Sequence, residues 1–502
     1  MGIVLWDWYW PRALQSPAAV RHTVIDGVHL SPGTRMSSTF LSELLDEYGR
    51  PLDRYQGSGT LANDKESAAV EWAAAQYDDG QVLLACQGDA STFDVMLSGP
   101  TRFDGTSPDG ITFDCRGHML DLPFLRRVPN DPPGGWAVYS IGLLHADFPA
   151  TGLPGLVRYL LTNFEFDTRQ GRQRTDLHLP GVEGVVRLIP DERDAHTRDR
   201  MRVLRSPQPT AWLEIGPQGG KPVKARTIAN HVCDLLSVAR GTKVAWIQEE
   251  VVNTGGVRTH LFHSHRITKP FSPLAPIDPT RVGGIPEFLE MTYPVYVDRR
   301  EAYRLDQGTI NSVLDAKVQT DFLETRGAKL AVALEELKHN VLLRSSPGVG
   351  YHVAPNVFEG FVHEIAEAVR AVLVRHQVAD EAAALITNPQ RLLSINRRSF
   401  SHLLRDTATH IGLELSGKNR GRFVQCRNSL VHLGEFYCSS SVSPERRAEV
   451  TREAKVEEYY FLLSVVDAFL LRLVGYTGPY LVRTLGGDGG EVREVRNLEA
   501  PQ

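Results

Sequence analysis

The spacing of apolar positions changes character near residue 300. Before that point, short runs rich in Val, Ile, Leu, Phe and Tyr are punctuated by Gly, Pro and Asp. They cover residues 81–87, 92–97, 111–115, 136–144, 185–189, 211–215 and 257–267. Short apolar runs separated by turn residues predict antiparallel strands of a sandwich-like or barrel-like β domain. One helix is predicted among them, over about residues 225–239. Ile228, Val232, Leu235 and Leu236 fall at helical spacing there, and Gly241 is its stop. Residues 268–297 contain Pro270, Pro273, Pro276, Pro279 and Pro286, and read as a linker or an irregular wrap between halves.

Beyond residue 300 the period becomes helical. Leu330, Leu334, Leu337 and Val341 form one stripe, Phe358, Phe361, Ile365, Val369 and Val372 a second, and Leu462, Val466, Phe469 and Leu473 a third. Two shorter helical segments, 397–410 and 420–433, lie between the second and third. Ser443 followed by Pro444 reads as the start of a helix, with Ser as the cap. Amphipathic helices with short connections predict a bundle. The expected architecture is an α+β multidomain chain, with a β-rich half over 1–295, a helical bundle over 296–478 and a Gly-rich tail over 479–502. That tail would form a hairpin or a loose end. No internal repeat is visible.

Composition narrows this picture without changing it. The chain has 502 residues, 42% hydrophobic and 23% charged, with a formal net charge of −5. Such a balance suits a soluble globular protein, and nucleic-acid contact through overall charge is excluded in favour of a local patch. The five cysteines share no CxxC spacing, which fits a reducing, cytoplasmic setting. The apolar start lacks the flanks of a signal peptide. Residues 459–476 are interrupted by Asp467 and Arg472, so no membrane contact is expected.

The segment 420–433 carries the chemistry. On a helical wheel at about 100° per residue, Phe423, Val424, Cys426, Leu430, Val431 and Leu433 share an apolar arc. Arg427 projects from near the middle of that arc, and Asn428 and His432 sit on its edge, one turn apart. A guanidinium in an apolar stripe costs several kcal/mol to desolvate unless something answers it. It requires a carboxylate of the bundle, such as Asp467 or Glu435, or else a phosphate or a second subunit. Lys418, Arg420 and Arg422 precede it. They read either as a track for an RNA backbone or as a solvated helix start that opposes the macrodipole.

The run Arg427-Asn428-Ser429-Leu430-Val431-His432 resembles the Arg-polar-x-x-x-His signature of HEPN ribonucleases. Its surroundings, over about residues 300–476, resemble the HEPN domain of ApeA-like abortive-infection proteins. There, too, a long helix opens the bundle, a short helix precedes the motif helix, and an apolar helix closes it. This resemblance implies a metal-independent endoribonuclease of bacterial defence or toxin-like growth arrest, without cofactor, active as a homodimer through the bundle. Its catalytic residues would be Arg427, Asn428 and His432, and Lys418, Arg420 and Arg422 would bind RNA. Histidine titrates near neutrality and serves as acid or base. Arginine stays charged and grips phosphate with a planar fork. Arg427 and His432 lie about 140° apart around one helix, a poor presentation to a single phosphate. The dimer the resemblance implies would bring two motif helices face to face. The N-terminal half would respond to an unknown trigger or ligand and control the nuclease. A second reading makes the bundle a non-catalytic HEPN dimerisation or RNA-binding module. A third makes it a scaffold for an N-terminal sensor.

Other constellations carry less. His260, His263 and His265 cannot all share one face of a strand, because side chains alternate. His339, His352, His363, His376, His402 and His410 are scattered and read as structural or surface residues. Residues 216–221 lack phosphate-loop spacing and read as a turn.

Overall fold

The computed structural model describes residues 45, 51–63, 67–77, 81–88, 102–115, 135–141, 143–148, 154–164, 174–191, 207–216, 222–253, 258–263, 271–279, 281, 283–344, 346–486 and 491–497. The run expected at 92–97, the start of the chain, His265 and residues 217–221 lie outside them.

Among the described residues, the N-terminal half is a sheet of thirteen strands. These are β1 (Pro51–Ala62), β2 (Ser67–Tyr77), β3 (Val82–Gly88), β4 (Arg102–Thr106), β5 (Thr112–Asp114), β6 (Gly135–Ile141) and β7 (Leu143–Asp147). They continue as β8 (Pro154–Thr162), β9 (Thr175–Leu177), β10 (Val186–Pro190), β11 (Pro209–Ile215), β12 (Ala245–Asn253) and β13 (Arg258–His263). Their order is β6-β3-β2-β1-β4-β5-β7-β13-β12-β8-β11-β10-β9, and every described neighbouring pair is antiparallel. The sheet curls. Gln76 of β2 donates a 2.7 Å hydrogen bond to the Ile247 carbonyl of β12, a strand far from β2 in that order. The run 136–144, expected as one strand, ends at Ile141 and resumes at Leu143. Its two pieces part company, β6 to the sheet edge and β7 to its middle.

One row of the sheet is ionic where apolar alternation would be expected. The register places Glu250, Arg158, Glu214, Arg187 and Asp176 opposite one another on consecutive strands β12, β8, β11, β10 and β9. Arg158 meets Glu214 at 3.1 Å and Glu250 at 3.9 Å, and Arg187 meets Asp176 at 3.0 Å. Directly paired residues lie on one face, so opposite charges meet across β12, β8 and β11 and again across β10 and β9.

Helix α1 (Pro222–Arg240) covers the other face. Ile228, Val232, Leu235 and Leu236 are buried. Gly241 ends it in the left-handed region, its N–H bonded to the Ser237 carbonyl. The expected linker is a correction. Residues 271–279 are irregular, but Gly284–Arg299 form helix α2, which buries Phe288, Leu289, Tyr293 and Tyr296. Pro286 falls in its first turn, where no intrahelical N–H is lost, and Pro294 stands inside it.

The C-terminal half is helical: α3 (Ile310–Ala316), α4 (Leu323–Lys338), α5 (Pro355–Arg375), α6 (Asp380–Ile386), α7 (Pro389–Ile395), α8 (Phe400–His410), α9 (Gly417–Leu433), α10 (Tyr437–Ser440) and α11 (Arg452–Leu473). The first and third stripes, on α4 with the turn after it and on α11, are wholly buried in one core. The second is not. On α5 the buried residues are Phe358, Val362 and Ala366, which pack with Leu392 of α7 as a satellite cluster, and Val372 faces solvent. The main core runs without a break from β8, β10 and β11 through α1 and α2 into α3, α4, α9 and α11.

Ser443 makes no cap bond, and Pro444–Glu449 is a 3-10 turn. The cap of α11 is Thr451, which accepts the Ala454 N–H. The tail closes as a hairpin of β14 (Pro479–Leu485) and β15 (Glu491–Asn497). It is fastened by a buried charge cluster, in which Lys317 meets Asp467 at 2.5 Å and Arg483 donates to the Ala275 carbonyl at 2.8 Å. Burial lowers the Lys317 pKa and raises that of Asp467, since both charges are cut off from water. No described helix is long and apolar enough to cross a membrane.

Candidate active site

Helix α9 is held at both ends and along one side. Ser416 accepts the Asn419 N–H at 3.2 Å, and Gly434 follows in the left-handed region at φ 71°. Phe423, Cys426, Ser429 and Leu430 are its buried face. A close approach by α4 makes this possible. A Cβ on Gly327 would stand 3.0 Å from both Leu430 Cδ1 and Phe436 Cε1. Burial therefore uses half of the predicted apolar arc. The other half is left out, with Val431 42% and Leu433 63% exposed.

Arg427 stands on the border between the two halves. Its Nη2 donates to Glu335 Oε1 at 2.7 Å and its Nη1 to Asn428 Oδ1 at 2.9 Å. The guanidinium carbon lies 5.3 Å from the Phe400 ring centroid, and Lys338 Nζ, bonded to Glu335 Oε2 at 2.6 Å, lies 4.8 Å from the same ring. The carboxylate that answers Arg427 is thus Glu335, on α4. It is neither Asp467, which is spent on Lys317, nor Glu435, which meets Arg447 at 3.3 Å. Arg427 Nε is buried without a hydrogen-bond partner among the described residues. Glu335, Lys338 and Phe400 escaped the sequence reading. Their one signal was the place of Glu335 and Lys338 beside Leu334 and Leu337, at the edge of the α4 stripe.

Asn428 and His432 are exposed one turn apart, and the His432 side chain makes no hydrogen bond or ion pair with a described residue. The structure sorts the three basic residues. Lys418 lies two heptads before His432 and shares its stripe, Arg420 lies two turns before Arg427 on the neighbouring stripe, and Arg422 turns away from both. It lies over the Phe461 ring at 4.3 Å. In the sheet, His260 pairs with Glu250 and with Ala146, and His263 pairs with Leu143. Among the described residues no three His, Cys, Asp or Glu side chains converge as metal ligands would.

No family model, curated protein or solved structure matches the chain.

The arrangement offers an acid–base group open to solvent, an amide one turn away, and a cation locked beside that amide by a carboxylate from another helix. The fork of Arg427 is engaged on both Nη atoms, so its first task is to fix Asn428 and to hold positive charge at the edge of the exposed surface. Each Nη keeps a second proton for an incoming anion.

Proposed function

We propose that the chain is a metal-independent endoribonuclease of the HEPN type, acting as a homodimer in cytoplasmic defence or toxin-like growth arrest. The observation that carries this reading is the exposed pair Asn428 and His432, with Arg427 hydrogen-bonded to the Asn428 amide. His432 takes the 2′-OH proton or supplies one to the departing 5′ oxygen. The 2′ oxygen attacks phosphorus, the P–O5′ bond breaks, and the products carry 2′,3′-cyclic phosphate and 5′-hydroxyl ends. Arg427 neutralises the charge gathering on the phosphorane. Val431 and Leu433 frame His432 with apolar surface, and a second motif helix seated there would complete the acid–base pair. The N-terminal half, whose core continues into the bundle, would transmit a trigger.

The test is cleavage of RNA by the full chain in EDTA, with the product ends typed. His432→Ala is expected to lose on the order of 100-fold or more in rate with its fold intact. Undiminished cleavage by a folded His432→Ala protein sinks the assignment. A second reading, a non-catalytic RNA-binding or dimerisation module, is favoured by the engagement of Arg427 with Glu335. It predicts RNA binding with no cleavage.

A further inference from the structure

Helices α4 and α11 begin side by side and open a cavity of about 720 Å³, lined by Phe322 just before α4, by Glu324 and Arg326 from α4, and by Arg452, Lys455 and Tyr460 from α11. Its acids are already answered, Asp321 by Lys329 at 2.5 Å and Glu324 by Lys455 at 3.0 Å. Its arginines are not. Arg326 Nη2 donates to Tyr459 Oη at 2.7 Å, and its guanidinium lies 4.2 Å from the Tyr459 ring centroid. Tyr459 itself donates to the Ala316 carbonyl at 3.1 Å, which fixes the phenol. Among the described residues Arg326 meets no carboxylate, and its Nε is buried without a hydrogen-bond partner. The side chain of Arg452, at the first position of α11, makes no hydrogen bond or ion pair with a described residue. A cation there opposes the helix dipole, a cost that an anion in the cavity would reverse. At the rim the Phe322 ring is 84% exposed, and Tyr460 stands beside the cavity.

We propose that this cavity binds a phosphate ester carrying an aromatic base: a free nucleotide or the phosphorylated end of an RNA strand. Arg326 and Arg452 take the phosphate, since each presents several donors and neither is neutralised. Phe322 stacks on the base. The volume is of the size that small-ligand sites have. The site lies on α4 away from Glu335, and its occupation is read by binding, so it stands or falls separately from ribonuclease activity.

The experiment is calorimetric titration of the full His432→Ala chain, which removes the proposed catalytic histidine, with AMP, adenosine, inorganic phosphate, and a short RNA with and without a 5′-phosphate. AMP or the phosphorylated RNA is expected to bind at one site per chain, and the tighter of the two identifies the source. Adenosine, inorganic phosphate and unphosphorylated RNA should bind at least about tenfold more weakly. Phe322→Ala and Arg452→Ala alter exposed side chains and should each weaken binding about tenfold without changing the melting temperature. Arg326→Gln should weaken it at least as much. Failure of both AMP and phosphorylated RNA to bind, or binding unchanged in Phe322→Ala and Arg452→Ala, overturns the proposal.

Discussion

Truncation of Glu335 tests how the motif arginine is held. Glu335 accepts hydrogen bonds from Arg427 at 2.7 Å and Lys338 at 2.6 Å, so Glu335→Ala severs two charge-assisted bonds at once. Each is worth about 1.5–3 kcal/mol when well buried. The side chains of Arg427 and Glu335 are 20% and 28% exposed, so returning water offsets part of that, and repulsion between the two cations left facing Phe400 adds to it. The expected loss is about 2 kcal/mol. Glu335→Gln keeps an oxygen for Arg427 and gives up only the charge, for a loss of about 1 kcal/mol. Urea unfolding followed by far-ultraviolet circular dichroism measures both. A double-mutant cycle with Arg427→Met should return a coupling of about 1 kcal/mol or more. A Glu335→Ala protein as stable as the wild type, or a cycle with no coupling, would show that Glu335 does not hold Arg427, and the reasoning about the orientation of Asn428 would fall with it.

Two further perturbations check the scaffold. Asp406 is partly desolvated, which raises its pKa, but hydrogen bonds from Arg398 and Arg405 outweigh that and hold it below the ordinary aspartate value. A depressed carboxylate contributes stability that is present above its unfolded pKa of about 4 and is lost as pH falls through the folded value. The urea midpoint of Asp406→Asn should therefore fall less steeply with acid below about pH 5 than that of the wild type, and parallel pH profiles would contradict this. Arg158→Ala removes the cation that stands between Glu214 and Glu250, whose side chains are 13% and 7% exposed. It should cost about 3 kcal/mol in urea unfolding, and a loss under 1 kcal/mol would mean that the ionic row does not hold the sheet.

Much of the local structure was legible in the sequence because local period is a local property. Backbone dihedrals repeat every 3.6 or 2 residues, so the stripes Leu330–Leu334–Leu337 and Leu462–Val466–Phe469–Leu473 announced α4 and α11 before any packing was known. Gly241 marked the end of α1 because its positive φ suits a residue without a Cβ. The motif helix and the place of Arg427 within its apolar arc were legible for the same reason. Proline content misled at α2, since a helix tolerates Pro286 in its first turn and carries Pro294 once its buried face is packed.

Partners were not legible. Glu335 lies 92 residues from Arg427 and is one of many acids on amphipathic helices. Only the packing of α4 on α9, permitted by the missing Cβ at Gly327, selects it. The ionic row from Glu250 to Asp176 gathers residues from five strands. It breaks the apolar alternation by which strands are read, and its members are paired by register alone. The curl that sets Gln76 against Ile247 and the core that joins sheet to bundle are likewise properties of how elements meet. The chain's own period fixes what each segment becomes, whereas which charge answers which is settled by distances that exist only after the segments have packed.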